Sequence, residues 1–439
     1  MNLVPAADHN LGSSSDWGRR AHAVFPDGSN GEFGFPAGLA PVISRGAGAR
    51  VWDAEGREYW DLTMAWGSAL VGHAHPKIRE AVSGALSEGY NFAGVNRRGV
   101  ELAERLQSLV PCAERIRFVA SGTEATMMCL RVAQAATGRP KVLKFEGAYH
   151  GQHPAGVASM LNGQAVTLPQ SDPSGAGAGW VERDVLVAPF NDLPATVRIL
   201  ESHAEELACV IVEPLHRCLA PLPGFLQGLR DATERLGIVL VFDEVVTGFR
   251  LGLAGAQGHF GVTPDLAAFG KAMGGGLPIG AYAGRRDLME TVNEQRLPGP
   301  NYVWSASTTG GNPISCAAAM AALDIYSEAG CYGHLHALGD RFRAVLGSVL
   351  AATGTAGQVL GVGPLAQVAF TSHPVVDQRS WIASDRARGR RVMLDLVRRG
   401  IYLNPMGTKL YLSLAHCDAF FERFGELFAE SLVATGRSG

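Results

Sequence analysis

The sequence lacks any apolar run approaching the roughly 18 residues that a membrane helix needs. Its start, Met1 to Arg20, has no apolar core, so we expect no signal peptide. Strong net charge is also absent, with 18% charged residues and a formal charge of -3. This balance gives no reason to expect a nucleic acid or a membrane as partner. The seven cysteines form no CxxC pair, which predicts neither a disulfide framework nor a zinc site and favours the reducing cytoplasm.

What the chain does have is size and an alternation of strands and helices. Its 439 residues, 47% of them hydrophobic, can bury one large core or two fused ones. Strands are predicted over 116–120, 142–145, 207–212, 238–242, 265–269 and 280–283. Apolar runs separated by helices indicate an α/β fold with a mainly parallel sheet that is covered on both faces.

The two ends of the chain are predicted to form a second, smaller α+β domain. Residues 1–30 are expected to be a loose arm, and the alternation over 41–61 indicates a hairpin. Helices are predicted within 76–110 and over 316–326, 334–351 and 386–399, with strands near 364–370 and 409–414, while 161–180 is predicted to be a long loop. The domains are predicted to be 1–75 (arm and part of the small domain), 76–325 (large domain) and 326–439 (C-terminal small domain).

The segment Ser121-Gly-Thr-Glu124 follows a predicted strand and opens a predicted helix. It fits a capping box, in which Ser121 and Glu124 satisfy the first amides of the helix. It equally fits a phosphate cradle, because free amides and the helix dipole attract an anion. The two interpretations are compatible.

Asp243 directly follows a buried strand, at the end of the sheet where ligands bind in open α/β folds. The carboxylate could be a simple helix cap or could pair with a buried cation. Lys271 follows another predicted strand and precedes Gly274, Gly275 and Gly276. It is either a solvated surface lysine or an amine nucleophile whose pKa is lowered by burial. The spacing excludes a Walker A loop.

These motifs occur in a characteristic order, namely 121–125, Tyr149-His150, Glu213-Pro214, Asp243 and Lys271. The order and spacing resemble the class III aminotransferases, which are fold-type I pyridoxal-phosphate enzymes. Within that family, segments 145–151, 243–250 and 270–276 are similar to those of glutamate-1-semialdehyde 2,1-aminomutases. The resemblance runs from about residue 36 to 325 and continues more weakly to the end.

The resemblance implies pyridoxal 5′-phosphate as cofactor. Lys271 matches the catalytic lysine that forms the internal aldimine and moves the proton, and Asp243 matches the acid that keeps the pyridine nitrogen protonated. Thr308 matches a residue that reaches the neighbouring subunit's phosphate, which implies a homodimer with shared active sites. The other cofactor-binding matches are Ser121, Gly122 and Thr123 at the phosphate, Tyr149 and Val245 on the two ring faces, and His150 and Glu213. No metal is implied.

The substrate side departs from the aminomutase pattern. An N-terminal arginine of those enzymes aligns with Gly34, an asparagine near the cofactor's phenolic oxygen aligns with Cys218, and 404–409 lacks their acidic residue. Trp66 and Arg217 are predicted to contact substrate, and a substrate carboxylate could bind Arg217, His216 or Lys409.

We therefore expect an aminotransferase that alternates between internal aldimine and pyridoxamine forms. Its partners would be a small amine or amino acid and a carbonyl acceptor. The alternative is glutamate-1-semialdehyde 2,1-aminomutase, which moves the amino group within one molecule. A racemase or a non-catalytic pyridoxal-phosphate protein is a further alternative.

Overall fold

The computed structural model describes residues 16–31, 35–36, 39–160, 167–173, 175–177, 179–407 and 409–436. The chain divides into two compact units. The small unit contains Met1–His75, Gly333–Val375 and Ser380–Gly439, and the large unit contains Pro76–Tyr332 and Val376–Arg379.

Strands and helices alternate along most of the described chain. The strands are β1 Ile43–Ala47, β2 Arg50–Asp53, β3 Glu58–Asp61, β4 Arg115–Val119, β5 Lys141–Phe145, β6 Val185–Ala188, β7 Leu207–Val212, β8 Val239–Asp243, β9 Leu266–Phe269, β10 Gly280–Gly284, β11 Gln358–Leu360, β12 Leu365–Ala369, β13 Ile401–Tyr402 and β14 Lys409–Tyr411. The α-helices are α1 Asp16–Val24, α2 Met64–Gly67, α3 Pro76–Leu86, α4 Arg97–Leu109, α5 Gly122–Thr137, α6 Pro154–Val157, α7 Val181–Asp184, α8 Leu193–Ser202, α9 Phe225–Leu236, α10 Gly255–Phe260, α11 Arg286–Met289, α12 Pro313–Tyr326, α13 Cys331–Ala352, α14 Gln378–Ile382, α15 Arg386–Arg398 and α16 Asp418–Gly436. Short 3-10 helices span Pro26–Gly28, Lys271–Gly274, Glu290–Val292 and Glu294–Arg296.

The large unit is built on a seven-stranded sheet with the order β4-β10-β9-β8-β7-β5-β6. Every neighbouring pair is parallel except the two that involve β10, which runs antiparallel to β4 and β9. The prediction of an α/β fold with a mainly parallel sheet is confirmed. Strands β6 to β9 are buried at every residue, as expected for strands covered on both faces.

Parallel pairing places the carboxyl ends of β7, β8 and β9 side by side. Asp243, at the end of β8, pairs in register with Ala268 of β9, three residues before Lys271. Helix α5 packs against β7, β9 and β10, and its apolar face includes Met128, Leu130 and Val132. The sheet therefore brings the candidate residues of separate motifs to a common edge.

The small unit contains two sheets, β1-β2-β3-β13 and β11-β12-β14. The predicted hairpin is present, since β2 and β3 pair antiparallel. The core of this unit contains an aromatic cluster contributed largely by α16, namely Phe342, Phe420, Phe421, Phe424 and Phe428.

Several sequence expectations need correction or extension. The arm predicted over 1–30 includes helix α1, where Asp16 begins the helix and pairs with Arg19 at 3.2 Å, although no residue of α1 is buried. Strand β6 and helix α16 were not predicted. Within the predicted loop 161–180, residues 161–166, 174 and 178 lie outside the described residues. Among the helices described, none has both the length and the apolar character needed to cross a bilayer.

Candidate active site

The turn between β4 and α5 is a helix cap with free amides beside it. Ser121 Oγ accepts from the Glu124 amide at 3.2 Å, and Glu124 Oε2 accepts from the Ala120 amide at 3.1 Å. Helix geometry leaves the amides of Gly122 and Thr123 without an intrahelical acceptor. Since the positive end of the helix dipole lies here too, the turn can bind an anion such as a phosphate.

Three sequence motifs meet beside this turn. A Cβ at Gly122 would lie 2.7 Å from Val245 Cγ1, so only glycine fits without displacing the valine. A Cβ at Gly270 would lie 3.5 Å from both Gly122 Cα and Val245 Cγ1. The Ser121–Thr123 turn, the segment after Asp243 and the segment before Lys271 therefore line one small volume.

Asp243 is 6% exposed and is held by two donors. Its Oδ2 lies 2.7 Å from His150 Nδ1, and this nitrogen donates because an ionised carboxylate only accepts. Its Oδ1 accepts from the Val245 amide at 3.1 Å. A carboxylate has about four acceptor sites, so Asp243 retains capacity for a donor from a ligand.

The Tyr149 ring is half-buried and is fixed at both its backbone and its hydroxyl. The Tyr149 amide donates to Glu213 Oε1 at 2.9 Å. Burial raises the pKa of the Tyr149 hydroxyl, and a hydrogen bond with the Thr123 side chain opposes that rise. The same threonine lies in the anion-binding turn, so the aromatic ring is tied directly to it.

Lys271 follows β9 through Gly270 and has a positive φ of 44°, which is uncommon for a lysine. It begins a short 3-10 helix, Lys271–Gly274, whose other three residues are buried. The Ala272 carbonyl accepts from the Tyr326 hydroxyl at 2.9 Å. Packing and this hydrogen bond hold the backbone in a conformation of higher energy, a feature that often marks a functional position.

Thr308 is exposed, and its neighbours connect it to the helix cap. Its carbonyl accepts from Asn91 Nδ2 at 2.8 Å. The adjacent Ser307 Oγ donates to Glu124 Oε2 at 3.0 Å. The segment that carries Thr308 is thus attached to the residue that caps α5.

The residues predicted for substrate have varied surroundings. Arg217 Nε and Nη2 both donate to the Gly147 carbonyl, at 3.2 and 3.0 Å, and its guanidinium carbon lies 5.9 Å from the Tyr149 ring centre. His216 is fully buried against Phe190, and burial lowers its pKa to about 4. Gly34 lies outside the described residues.

Trp66 and Lys409 belong to the small unit. Trp66 is 43% exposed, and Lys409 Nζ lies 5.2 Å from the Tyr411 ring centre. His73 Nε2 lies 2.7 Å from Asp61 Oδ2. Within the described ranges, no group of three or more His, Cys, Asp or Glu side chains is placed to hold a metal ion.

Sequence reasoning missed the residues that hold the 146–151 loop. Lys144 is buried beneath it, and Arg379 Nε donates to Glu146 Oε2 at 2.8 Å. For Lys144 there was a usable signal, because it is a lysine inside the otherwise apolar strand predicted over 142–145. Arg379 had no such signal because it lies 233 positions away in the sequence.

Comparison with known proteins gives one family. The sequence model of the aminotransferase class-III family matches residues 37–425. A curated relative, glutamate-1-semialdehyde 2,1-aminomutase of Thermomicrobium roseum, is 40% identical over 424 residues, covering 95% of this chain and 97% of the relative.

Solved structures resemble the whole chain. An omega-transaminase from Sphaerobacter thermophilus has a TM-score of 0.91 and 35% identity, covering 99% of this chain and 100% of that one. A transaminase described with PLP bound has a TM-score of 0.86 and 30% identity, covering 95% and 96%.

Proposed function

Because the chain belongs to the class-III aminotransferase family, we propose that it moves an amino group from a small amine or amino acid to a separate carbonyl acceptor. The protein is an enzyme with the fold of the fold-type I pyridoxal-phosphate transferases, and its cofactor is pyridoxal 5′-phosphate. The assignment of catalytic residues and the choice of an intermolecular reaction are our proposals.

The residues at the sheet edge fit this cofactor. Gly122 and Thr123 offer amides to its phosphate, beside a glycine position that Val245 keeps free of a side chain. Tyr149 and Val245 supply an aromatic and an aliphatic surface for the two faces of a flat ring. Asp243 has acceptor capacity left for a ring N–H. The convergence of these motifs on one volume is the observation that carries the proposal.

When bound, pyridoxal phosphate supplies an aldehyde that condenses with amines and a ring that withdraws electrons from the substrate carbon. Lys271 would hold the cofactor through its amine and, once released, accept the proton from the carbon that bears the amino group. Asp243 would hold a proton at the pyridine nitrogen. His150 would orient Asp243 by donating to its other oxygen.

Two differences from the aminomutase pattern favour transfer between two molecules. Cys218, at the position that aligns with an asparagine of the aminomutases, is buried and carries a thiol in place of an amide. Residues 404–409 offer Lys409 but no acid. A mutase must retain its intermediate between two half-reactions, so losing polar groups near the ring and in the C-terminal loop weakens that reaction more than simple transamination.

Glutamate-1-semialdehyde aminomutase is the second candidate, because curated relatives of that name are 38 to 41% identical to this chain. The two are separated by supplying the pyridoxamine form of the enzyme with glutamate-1-semialdehyde and no other acceptor. We expect one turnover or none. Sustained formation of 5-aminolevulinate would overturn the proposal.

Adding amine donors singly, without an acceptor, should convert the cofactor fully to its pyridoxamine form, whereas a racemase or a simple binding protein would leave the cofactor unchanged.

We also propose that the enzyme is a homodimer with shared active sites. Thr308 is exposed, and Asn91 links its segment to the 90–95 segment. Exposed apolar side chains on these two segments are Tyr90, Phe92, Val95 and Trp304. An exposed apolar group of this kind commonly marks an association surface, and a second copy would cover it. Sedimentation should show a dimer, and a fully active monomer would contradict the proposal.

A cytoplasmic location is the remaining part of the proposal. All seven cysteines are free thiols, and five of them are buried. Such usage is typical of a reducing compartment. Fractionation of the source cells should place the protein in the cytosol, and recovery from a secreted fraction would contradict this.

A further inference from the structure

Lys144 is a fully buried lysine that pairs with no carboxylate among the residues that the structure describes. It lies in β5 between β6 and β7, and its strand neighbours Leu143 and Phe145 are apolar and buried. Its Nζ donates to the carbonyls of Ala148 at 3.0 Å, Gly156 at 2.8 Å and Ala158 at 2.6 Å. An ammonium group has three N–H donors, so each one has an acceptor here.

Burying this amine costs desolvation free energy, which its hydrogen bonds to the three carbonyls must offset. Burial and, to a smaller extent, the nearby Arg217 guanidinium lower the pKa of Lys144 to about 7, against the opposing effect of Glu213 and Asp243. An apolar side chain of similar length would fill the same space without that cost. The lysine is therefore poorly explained by packing alone.

The three carbonyls belong to the segment that carries Tyr149 and His150. Ala148 directly precedes Tyr149. The Gly156 carbonyl accepts from Lys144 and also from the His150 amide at 3.0 Å. Lys144 thus joins residue 148 to residues 156 and 158 through its ammonium group. These hydrogen bonds hold the two ends of the loop together and fix the positions of the Tyr149 and His150 rings between them.

We propose that Lys144 is a positioning residue, which holds the 146–158 loop so that Tyr149 lies against the cofactor ring and His150 against Asp243. The inference rests on the proposed roles of Tyr149 and His150. It assigns to Lys144 no contact with substrate and no proton transfer. Its effect is local to the loop and separate from global folding.

The test compares Lys144→Met with Lys141→Met in the holoenzyme. Lys141 lies in the same strand but pairs with Glu206 at 2.8 Å, away from the loop, and so is a matched control. Amide hydrogen exchange over 146–158, the visible circular dichroism of bound cofactor and the cofactor dissociation constant are measured for both. Cofactor-free wild-type protein is the reference for any loop mobility that comes from cofactor loss.

For Lys144→Met we expect faster exchange confined to 146–158, beyond that of cofactor-free wild type, and a weaker dichroic signal. The cofactor dissociation constant should rise about tenfold, which corresponds to roughly 1.4 kcal/mol. Lys141→Met should match wild type in all three. Lys144→Gln, which keeps two N–H donors for the three carbonyls, should give an intermediate result.

Unchanged exchange and unchanged affinity in Lys144→Met would overturn the inference. So would failure of both Lys144 variants to fold, since the effect proposed is local. If wild type itself bound no cofactor near Tyr149, the proposed function would fail instead. The exchange measurement would still report whether Lys144 holds the loop.

Discussion

The side chains proposed for the cofactor and those considered for the substrate differ in how firmly the chain holds them. Asp243 and His150 are buried and bonded to each other, and Tyr149 is fixed through its amide. Among the side chains considered for the substrate, Trp66 is 43% exposed. Groups held at strand ends can be preorganised for one chemistry, whereas exposed loop groups can vary with the substrate.

Arg217 is intermediate between the firmly held cofactor residues and the exposed substrate candidates. It is partly exposed, but two of its donors are taken by the Gly147 carbonyl, and its amide donates to Glu213 at 3.1 Å. Its contacts are thus with the loop that carries Tyr149. Asp243 and His150 are thus held more firmly than Trp66, and the residues considered for the substrate range from the buried His216 to the exposed Trp66.

The largest effect is expected for Lys271→Ala. Removing the amine would delete both the proposed attachment point and the proposed base, and loss of a general base alone lowers rates about 10²- to 10⁴-fold. Turnover and cofactor absorbance should both collapse, while Lys77→Ala, at an exposed lysine paired with Glu328, should behave as wild type. Normal turnover in Lys271→Ala would end the assignment.

Asp243→Asn should bind cofactor but react about a hundredfold more slowly, equivalent to roughly 3 kcal/mol, because the amide no longer stabilises a protonated pyridine nitrogen. Asp265→Asn is the control, since Asp265 pairs with Arg230 and Arg285 and should affect stability more than rate. Single-turnover kinetics measure the step. An unchanged rate in Asp243→Asn would place the acid elsewhere.

His216 should behave as a core residue rather than as a ligand for substrate. Burial lowers its pKa to about 4 from an ordinary value of 6.5, so the unfolded state binds the proton first as pH falls. Its contribution to stability is complete above pH 6.5 and is lost as pH falls towards 4, by roughly 3 kcal/mol.

Chemical denaturation at several pH values checks the His216 prediction. His216→Phe, which keeps a ring stacked on Phe190, should reduce the slope of this part of the profile. The remaining slope comes from His153 and His416, because burial lowers their pKa to about 4 as well. His334→Phe, at an exposed position, should not. If His216→Phe instead lost activity in a substrate-dependent way while the pH profile of its stability stayed unchanged, His216 would be a substrate ligand.

Gly122→Ala should weaken cofactor binding about tenfold, or roughly 1.4 kcal/mol, since a new Cβ would press on Val245 beside the proposed phosphate-binding turn. Gly84→Ala is a matched control because its Cβ would meet nothing within 4 Å. Titration with pyridoxal phosphate measures both. Equal cofactor affinity in the two variants would show that the 121–123 turn does not bind the cofactor.

The smallest effect is expected for Arg217→Ala. Because Arg217 is predicted to bind a substrate carboxylate, the half-saturating substrate concentration should rise a few-fold in this variant. A partly exposed charged contact contributes binding free energy of about that size. The thermal midpoint is measured alongside it. A change confined to stability would show that the guanidinium serves the Gly147 carbonyl alone.

Much of this organisation was predictable from the sequence. Leu207–Val212 was predicted to the residue because a continuous apolar run of strand length has few alternatives. The antiparallel direction of β10 was not predicted, because the direction of a strand depends on which strands it pairs with, and the local sequence does not specify them. The four-residue strand β6 was too short to stand out beside the long loop before it.

For the site, the motifs gave Lys271, Asp243 and the 121–123 turn, but not the contacts that join them. The approach of Gly122 to Val245 and the bond from Ser307 to Glu124 link residues far apart in sequence. Lys144 was visible only as the one polar residue of the strand predicted over 142–145. Such contacts depend on tertiary packing, which no single motif encodes.

The central claim is that Lys271 carries the cofactor, and the chain allows a direct test because it has only five lysines, at 77, 141, 144, 271 and 409. Borohydride reduction of the yellow holoenzyme should fix the cofactor covalently, and peptide mapping by mass spectrometry then locates it. We predict one adduct, on the peptide that contains Lys271. A cofactor fixed on Lys144 or on any other lysine would contradict the account.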